Sequence, residues 1–224
     1  MPLRILTQNL YNGRAEPGSL ARVLDEHRPH IVAVQELSAN AARVLQDWGD
    51  DGLLDPRDDT TGMGMVLRGG AELSRLEFPA RRPIVARLRG AEWDLVGNTQ
   101  VVNAHLMNPI VRPLSTTRRL RSRELACLRS ILLTATPTEA RVVVGDLNSS
   151  PAWPLYQRLR RIATDAATQA GTARRTWGPR PGSPRLLRID HAFRAGPIRG
   201  LRTQAVRIAG ADHSGLLVDI DSAR

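Results

Sequence analysis

The sequence predicts one domain, residues 1–224, built as two stacked, mostly antiparallel β-sheets with helices packed outside them. Candidate strands outnumber candidate helices. The helical patterns fall early and late in the chain, with a run of short strands between them. The continuous apolar runs Ile31–Val34 and Val142–Val144 read as strands buried on both faces.

Taken in order, Leu3–Asn9 reads as a strand. Pro17-Gly18-Ser19 breaks the chain, and Ser19 is placed to cap a helix whose Leu20, Val23, Leu24 and His27 keep helical spacing until Pro29. Ile31–Val34 follows as a strand. Ser38 is placed to cap a second helix carrying Ala41, Ala42, Val44, Leu45 and Trp48, and the acidic stretch 50–61 reads as a loop. Met63–Leu67, Ile84–Leu88, Trp93–Gly97 and Gln100–Leu106 are short strand candidates without long helices between them, which suits hairpins. After a proline-containing loop, 108–115, comes a long amphipathic helix from Thr116/Thr117 to Leu133. Its polar face carries Arg118, Arg119, Arg121, Arg123 and Arg129. Val142–Val144 is a strand, Pro151–Arg161 a helix with proline at its start, and 171–187 a Gly-, Pro- and Arg-rich exposed loop. Leu187–Phe193, Leu201–Ile208 and Leu216–Ile220 close the chain as strands.

Composition excludes several classes. The 224 residues suffice for a sizeable core, and no stretch approaches the roughly 20 apolar residues that span a bilayer. The N-terminus enters a candidate strand without an apolar leader, so a cytoplasmic location is expected. The single cysteine, Cys127, rules out an internal disulfide and reads as a small buried hydrophobe. His27 and His30 read as surface residues. The net charge of +10 is uneven: residues 1–110 hold 12 Arg against 14 Asp/Glu, and residues 111–224 hold 20 Arg against 8. Two readings stand for this excess. One is a basic surface that attracts phosphate-bearing polymers or anionic lipid. The other is a GC-rich coding bias, since lysine is absent.

The chemistry lies in short polar clusters, most of them closing an apolar run: Thr7-Gln8-Asn9, Val34-Gln35-Glu36, Asn103-Ala104-His105, Gly145-Asp146-Leu147-Asn148, Ile189-Asp190-His191 and Asp212-His213-Ser214. Strand ends present side chains to a shared cleft. In this order the clusters resemble the endonuclease/exonuclease/phosphatase superfamily, which includes pancreatic-type deoxyribonuclease, apurinic endonucleases, inositol-polyphosphate phosphatases, deadenylases and bacterial sphingomyelinases. The resemblance runs from Thr7 to Ser214. Its most specific elements are 145–151, Arg188-Ile189-Asp190-His191 and 210–214. It implies a four-layer α/β/β/α sandwich, consistent with the element order above, and a metal-dependent phosphoric ester hydrolase.

A phosphoester under attack by water gathers negative charge, which a hard cation with oxygen ligands stabilises. Mg²⁺ (or Mn²⁺) is the expected ion, held by one or two carboxylates. Glu36, at the end of a buried strand, is the best candidate ligand, with Asn9 orienting it or touching the metal or phosphate. The resemblance makes Asp146 a metal ligand or activator of the attacking water, and Asn148 a donor to that water or to the phosphate; alternation in an extended segment puts both on one face. His213 is the candidate general base or transition-state stabiliser. Asp190 is the carboxylate that orients either His213 or His105, and Asp212 adds charge at the metal. His105 is assigned by resemblance to the leaving oxygen or the phosphate. His191, adjacent to Asp190, should face away and be structural.

Asn9-Leu10-Tyr11 and the histidine strand argue against a dedicated abasic-site enzyme. Ala211 stands where the family often has Ser, and no second glutamate supporting a histidine is evident. A catalytically dead binding module is the contrasting class, and retention of the full polar set argues against it. Within hydrolases the expected substrate is DNA or RNA, tracked by the Arg-rich helix (Arg118, Arg121) and loop, with Tyr11 or Trp177 meeting a base or sugar. A small-molecule or lipid phosphate ester is the alternative.

Overall fold

The computed structural model describes residues 2–222. The strands are β1 (Leu3–Asn9), β2 (Ile31–Gln35), β3 (Asp51–Asp55), β4 (Met63–Leu67), β5 (Glu72–Arg75), β6 (Ile84–Leu88), β7 (Asn98–Asn103), β8 (Glu139–Asp146), β9 (Thr164–Asp165), β10 (Asp190–Ala195), β11 (Ile198–Arg207) and β12 (Ser214–Ser222). The helices are α1 (Pro17–His27), α2 (Ala39–Trp48), α3 (Leu114–Leu133), α4 (Pro154–Arg160) and α5 (Ala166–Gln169). They form two six-stranded sheets, ordered β11-β12-β1-β2-β4-β3 and β5-β6-β7-β8-β10-β9. Both are mixed: β1 runs parallel to β2 and β7 to β8, and the other pairs are antiparallel.

Strand alternation builds the layers. Ile5, Ala33, Val101, Val142, Val144 and Val218 point between the sheets. Their neighbours Leu6, Val32 and Val34 point outward to Leu20 and Leu24 of α1 and Leu45 of α2. Val102, Val143 and Phe193 point outward from the second sheet to Leu128 and Leu132 of α3 and Leu159 of α4. This is the expected four-layer sandwich, and it explains the continuous apolar runs, since both faces of these strands are covered. At one end of the middle layer a buried polar bridge joins the sheets. Gln35 Nε2 donates to Asn103 Oδ1 (2.6 Å) and Thr7 Oγ1 (3.0 Å), and Asn103 Nδ2 donates to the carbonyls of Val34 and Gly64. No described helix is long and apolar enough to cross a membrane.

Several expectations are corrected. Residues 51–55 are an edge strand rather than a loop, because Gly52 lets the backbone close onto Val66 while Leu53 packs against the core. Trp93 stands in a turn, not a strand, donating its Nε1 to the Gly70 carbonyl (3.0 Å). β5, β9 and α5 carried too few apolar residues to be read. Helix α1 begins at Pro17 behind Glu16, and Ser19 Oγ instead accepts from the Ala209 amide (3.0 Å). Ser38 occupies the N-cap position of α2 without a side-chain bond. Helix α4 starts at Pro154, not Pro151. Cys127 is only half-buried. His27 and His30 are half-buried too, and His30 Nδ1 accepts from the Arg4 amide (2.9 Å).

The 171–187 loop has a buried anchor, Thr176, whose Oγ1 accepts from the amides of Ile189 and Asp190. Behind β10, Asp165 caps α5 through Oδ1 and accepts from Arg188 Nη1 (2.6 Å) and the Tyr156 hydroxyl (2.7 Å) through Oδ2. Burial alone would raise the Asp165 carboxyl, but His191 at 3.5 Å, Arg188 and Tyr156 hold it well below the usual carboxylate range. Its ionised form therefore stabilises the fold. That contribution is complete above the unfolded-state value of about 3.9 and is lost as pH falls through the depressed native value. Asp165→Asn, which keeps the helix cap but strands the buried Arg188 charge, should cost on the order of 3–5 kcal/mol at pH 7. The difference should shrink toward pH 2 in urea titrations.

Candidate active site

The strand directions place the polar clusters at one pole. Parallel pairing sends the C-terminal ends of β1, β2, β7 and β8 the same way, delivering Asn9, Glu36, His105 and Asp146. Strands β10 and β12 run antiparallel to β8 and β1, so their beginnings deliver Asp190 and His213 to the same end. The first sheet thus supplies Asn9, Glu36, Asp212 and His213, and the second His105, Asp146, Asn148 and Asp190.

Asn9 sits at the junction. Its Nδ2 donates to Glu36 Oε1 and Asp146 Oδ2, both at 3.1 Å, and its Oδ1 accepts from the Tyr11 amide (2.9 Å). Glu36 Oε2 accepts from the Asn12 amide (2.6 Å). Asp146 Oδ1 accepts from the Asn148 amide (2.8 Å). Asn148 Nδ2 reaches the Leu106 carbonyl (3.0 Å) and Asp146 Oδ2 (3.3 Å). Asn148 faces the site, but not from an extended segment: its φ is 46°, and Tyr11, Asn12 and Glu36 are left-handed as well. Uncommon backbone conformations gathered in one place are characteristic of functional sites.

The two histidines differ. His213 Nδ1 bonds Asp190 Oδ2 (2.9 Å), so Asp190 serves His213 rather than His105, and His213 Nε2 stands 3.8 Å from Asp146 Oδ2. Burial pushes the His213 imidazole down, but the charges of Asp190 and Asp146 override this and lift it to about 9. His105 has no such partner on Nδ1, and its Nε2 lies 3.6 Å from Asp146 Oδ2 and 3.8 Å from Glu36 Oε1. Burial, followed by the Arg81 charge, holds it well below its ordinary value, so it is neutral. Burial also raises Glu36, and it raises Asp146 to about 7 against the opposing charge of His213. His191 faces away as expected, fully buried, with Nε2 bonded to the Ser149 carbonyl (2.7 Å).

Glu36, His105, Asp146, Asn148, Asp212 and His213 line an open cavity of about 540 Å³ with Tyr11 and Trp177 at its wall. Trp177 Nε1 donates to Asp212 Oδ2 (3.2 Å), while Asp212 Oδ1 is buried without a protein partner. Arg118 and Arg121 do not line it. Arg118 is exposed on α3, and Arg121 is turned inward, donating to the carbonyls of Met107 and Asn148. Arg121 therefore braces the Asn148 loop, a correction to its reading as a backbone-tracking residue.

Two residues of the site were not anticipated. Arg81 enters from the loop before β6, tethered by Nε to the Thr60 carbonyl (3.2 Å), with Nη1 buried and unpartnered. In so arginine-rich a chain nothing marks it out. Glu124 of α3 is fully buried and accepts from the Met107 amide, fixing the segment after His105. Only its helical spacing from Leu128 could have shown that it faces inward.

The donor set fits a hard cation. Glu36 and Asp146 present carboxylate oxygens to one cavity, joined through Asn9. Among the described residues no three His, Cys, Asp or Glu side chains form a closed ligand cluster, and Mg²⁺ needs none, since it is commonly bound by one or two carboxylates and retained water.

A carboxylate pair, a carboxylate-held histidine and an inward-facing arginine in a two-sheet sandwich define a phosphoesterase. The chain belongs to the endonuclease/exonuclease/phosphatase family, whose model matches residues 6–213, and it is an enzyme of that family. Members depend on divalent metal ions. No curated protein matches the sequence significantly. Among solved structures it is similar to D. rerio TDP2 humanized by 14 mutations (18% identity, TM-score 0.77, 98% of this chain and 99% of that one). It is also similar to a functionally unknown conserved protein of Enterococcus faecalis V583 (14%, 0.76, 98% and 99%). A third is the endonuclease/exonuclease/phosphatase of Bacteroides vulgatus (18%, 0.74, 99% and 99%). At these identities the likeness establishes the fold.

Proposed function

We propose that the chain is a single-domain nuclease that hydrolyses phosphodiester bonds of DNA or RNA with Mg²⁺, or Mn²⁺ in its place, in the cytoplasm. The observation that carries the hydrolytic reading is the convergence of Glu36, Asp146, His105 and the His213–Asp190 pair on one cavity, with Arg81 aimed into it. Glu36 and Asp146, with Asn9 between them, would hold the cation, and Asp212 would add charge from across the cavity. When bound, such an ion supplies Lewis-acid stabilisation of phosphoryl oxygens.

The residues divide the remaining work. Asp190 fixes the His213 ring by Nδ1, so Nε2 faces the cavity as a charged donor to a phosphoryl oxygen, worth most where water is excluded. His105, neutral and buried, offers an uncharged N–H to the phosphate or leaving oxygen. Arg81 Nη1 supplies a further cationic donor. Asp146 and Asn148 are placed to orient the attacking water. Tyr11 and Trp177 give flat walls for a base or sugar. The polymeric substrate is favoured by the arginine excess of residues 111–224. It is also in keeping with a D. rerio TDP2 of the same fold that is complexed with single-strand DNA product.

Purified protein incubated with supercoiled plasmid should nick it with Mg²⁺ and not with EDTA, and Asp146→Asn should abolish the nicking. The rate should fall steeply between 50 and 200 mM salt, by a factor of roughly 10³ or more if six or more phosphates are neutralised. Hydrolysis of bis(p-nitrophenyl) phosphate without plasmid or RNA cleavage under any divalent ion would move the activity to a small phosphate ester.

A further inference from the structure

Behind the 171–187 loop lies a second groove, of about 790 Å³, lined by Arg174, Arg175, Arg185, Arg202 and Arg207 together with Ser214, and by no acidic residue. None of these five arginines forms an ion pair among the described residues. Arg202 lies across the β11–β12 ladder from Asp219, but that carboxylate is taken by Arg4 at 2.7 and 3.1 Å. Arg185 is the fixed point. Its Nε donates to Ser214 Oγ (3.0 Å) and its Nη2 to the carbonyls of Ala211 and His213, while Nη1 is buried without a partner. Burial, followed by the charge of Arg207, lowers the Arg185 pKa against the opposing charges of Asp212 and Asp190. Such a site is relieved by an anion.

The groove and the active site share one segment of backbone. His213 faces the catalytic cavity, and the next residue, Ser214, turns its side chain to the arginines. The 171–187 loop likewise shows Trp177 and Leu187 to the cavity and Arg174, Arg175 and Arg185 to the groove. The hydrogen-bonding edge of β11 is already capped there, since the Thr203 amide donates to Thr172 Oγ1 and the Gly200 amide to Gln169 Oε1, so an added β-strand is not the occupant. The lining has no large apolar side chain to seat a lipid, and five spread arginines exceed what one phosphate uses.

We propose that this groove binds the phosphate backbone of the nucleic-acid strand where it passes over the 171–187 loop, away from the scissile phosphate. The proposal rests on the nuclease reading above. Its test is the exposed pair Arg202→Glu/Arg207→Glu, with Arg202→Gln/Arg207→Gln to separate the loss of attraction from added repulsion. Binding of a fluorescein-labelled single-stranded 20-mer is read by anisotropy in EDTA over a salt series, which uncouples binding from cleavage. In both variants the slope of log affinity against log salt should flatten by about 1.4, since each phosphate of a single strand that is no longer neutralised removes roughly 0.7. Affinity at 50 mM salt should fall at least about tenfold. Melting temperature and bis(p-nitrophenyl) phosphate hydrolysis should stay within twofold or a few degrees of wild type.

Wild-type slope and affinity in both variants would overturn the groove and leave the nuclease reading standing if plasmid is still nicked. Arginine-dependent oligonucleotide binding without nucleic-acid cleavage under any divalent ion would overturn the nuclease reading and leave the groove. Binding to phosphatidylserine vesicles with no binding to the oligonucleotide would overturn the groove as a nucleic-acid site.

Discussion

His213→Gln should lower kcat by about 10²–10⁴-fold while the protein remains folded. Glutamine keeps an N–H that can reach Asp190, which is fully buried and would be left unpaired by alanine. It loses the titratable ring whose Nε2 faces the cavity. The loss should therefore appear in kcat rather than in KM, because a donor to charge that develops during reaction contributes little to ground-state binding. Single-turnover kinetics with a labelled oligonucleotide, alongside a thermal melt, would check it. A KM increase at constant kcat would make His213 a ground-state binding residue and sink the assignment.

Asp146→Asn should be comparably severe, on the order of 10³-fold in kcat/KM, with the half-saturating Mg²⁺ concentration raised more than about tenfold. It differs from His213→Gln in its effect on stability. Burial raises the Asp146 carboxyl above its ordinary value, so the ionised form disfavours the metal-free fold, and stability is lost as pH rises from that ordinary value toward about 7. Asparagine removes the charge and keeps the shape. The metal-free variant should melt above metal-free wild type at pH 8, and the gap should close at pH 4. A variant that is more stable and inactive shows that the carboxylate is kept for chemistry. A lower melting temperature across the whole pH range would instead show a structural anchor.

Much of this site could be read from residue type and position. Asn9, Glu36, His105, Asp146, Asp190 and His213 each follow or open a strand whose apolar residues identify it, and a polar residue there has few places to go except a shared end. The strands covered on both faces, β2 and β8, declared themselves by unbroken apolar runs. What stayed hidden has physical causes. Strands β3 and β5 lie at sheet edges, so solvated positions dilute their pattern. The left-handed conformation of Asn148 depends on Asp146 Oδ1 and the Leu106 carbonyl, both fixed only by tertiary structure. Arg81 and Arg121 were masked by the abundance of arginine, and their roles are opposite: one guanidinium faces the cavity and the other is consumed by carbonyls. Helix α3 and the 171–187 loop were the expected tracks for a polyanion. The arginines that crowd next to the site come from that loop and from β11, whose Arg202 and Arg207 nothing in the sequence marked out.

The order of the first sheet has a consequence for how this enzyme's site is assembled. Strand β1, the first of the described strands, pairs on one side with β12, the last of them, and β12 carries His213 at its threshold. All six strands of the second sheet lie between residues 72 and 195, whereas the first sheet takes four strands from residues 3–67 and two from residues 198–222. Until β12 slots between β11 and β1, Asn9 and Glu36 have no completed sheet to hold them opposite Asp146. Hydrolytic competence thus depends on the pairing of β12 with β1, which joins segments from the two ends of the described chain and brings His213 within 3.8 Å of Asp146.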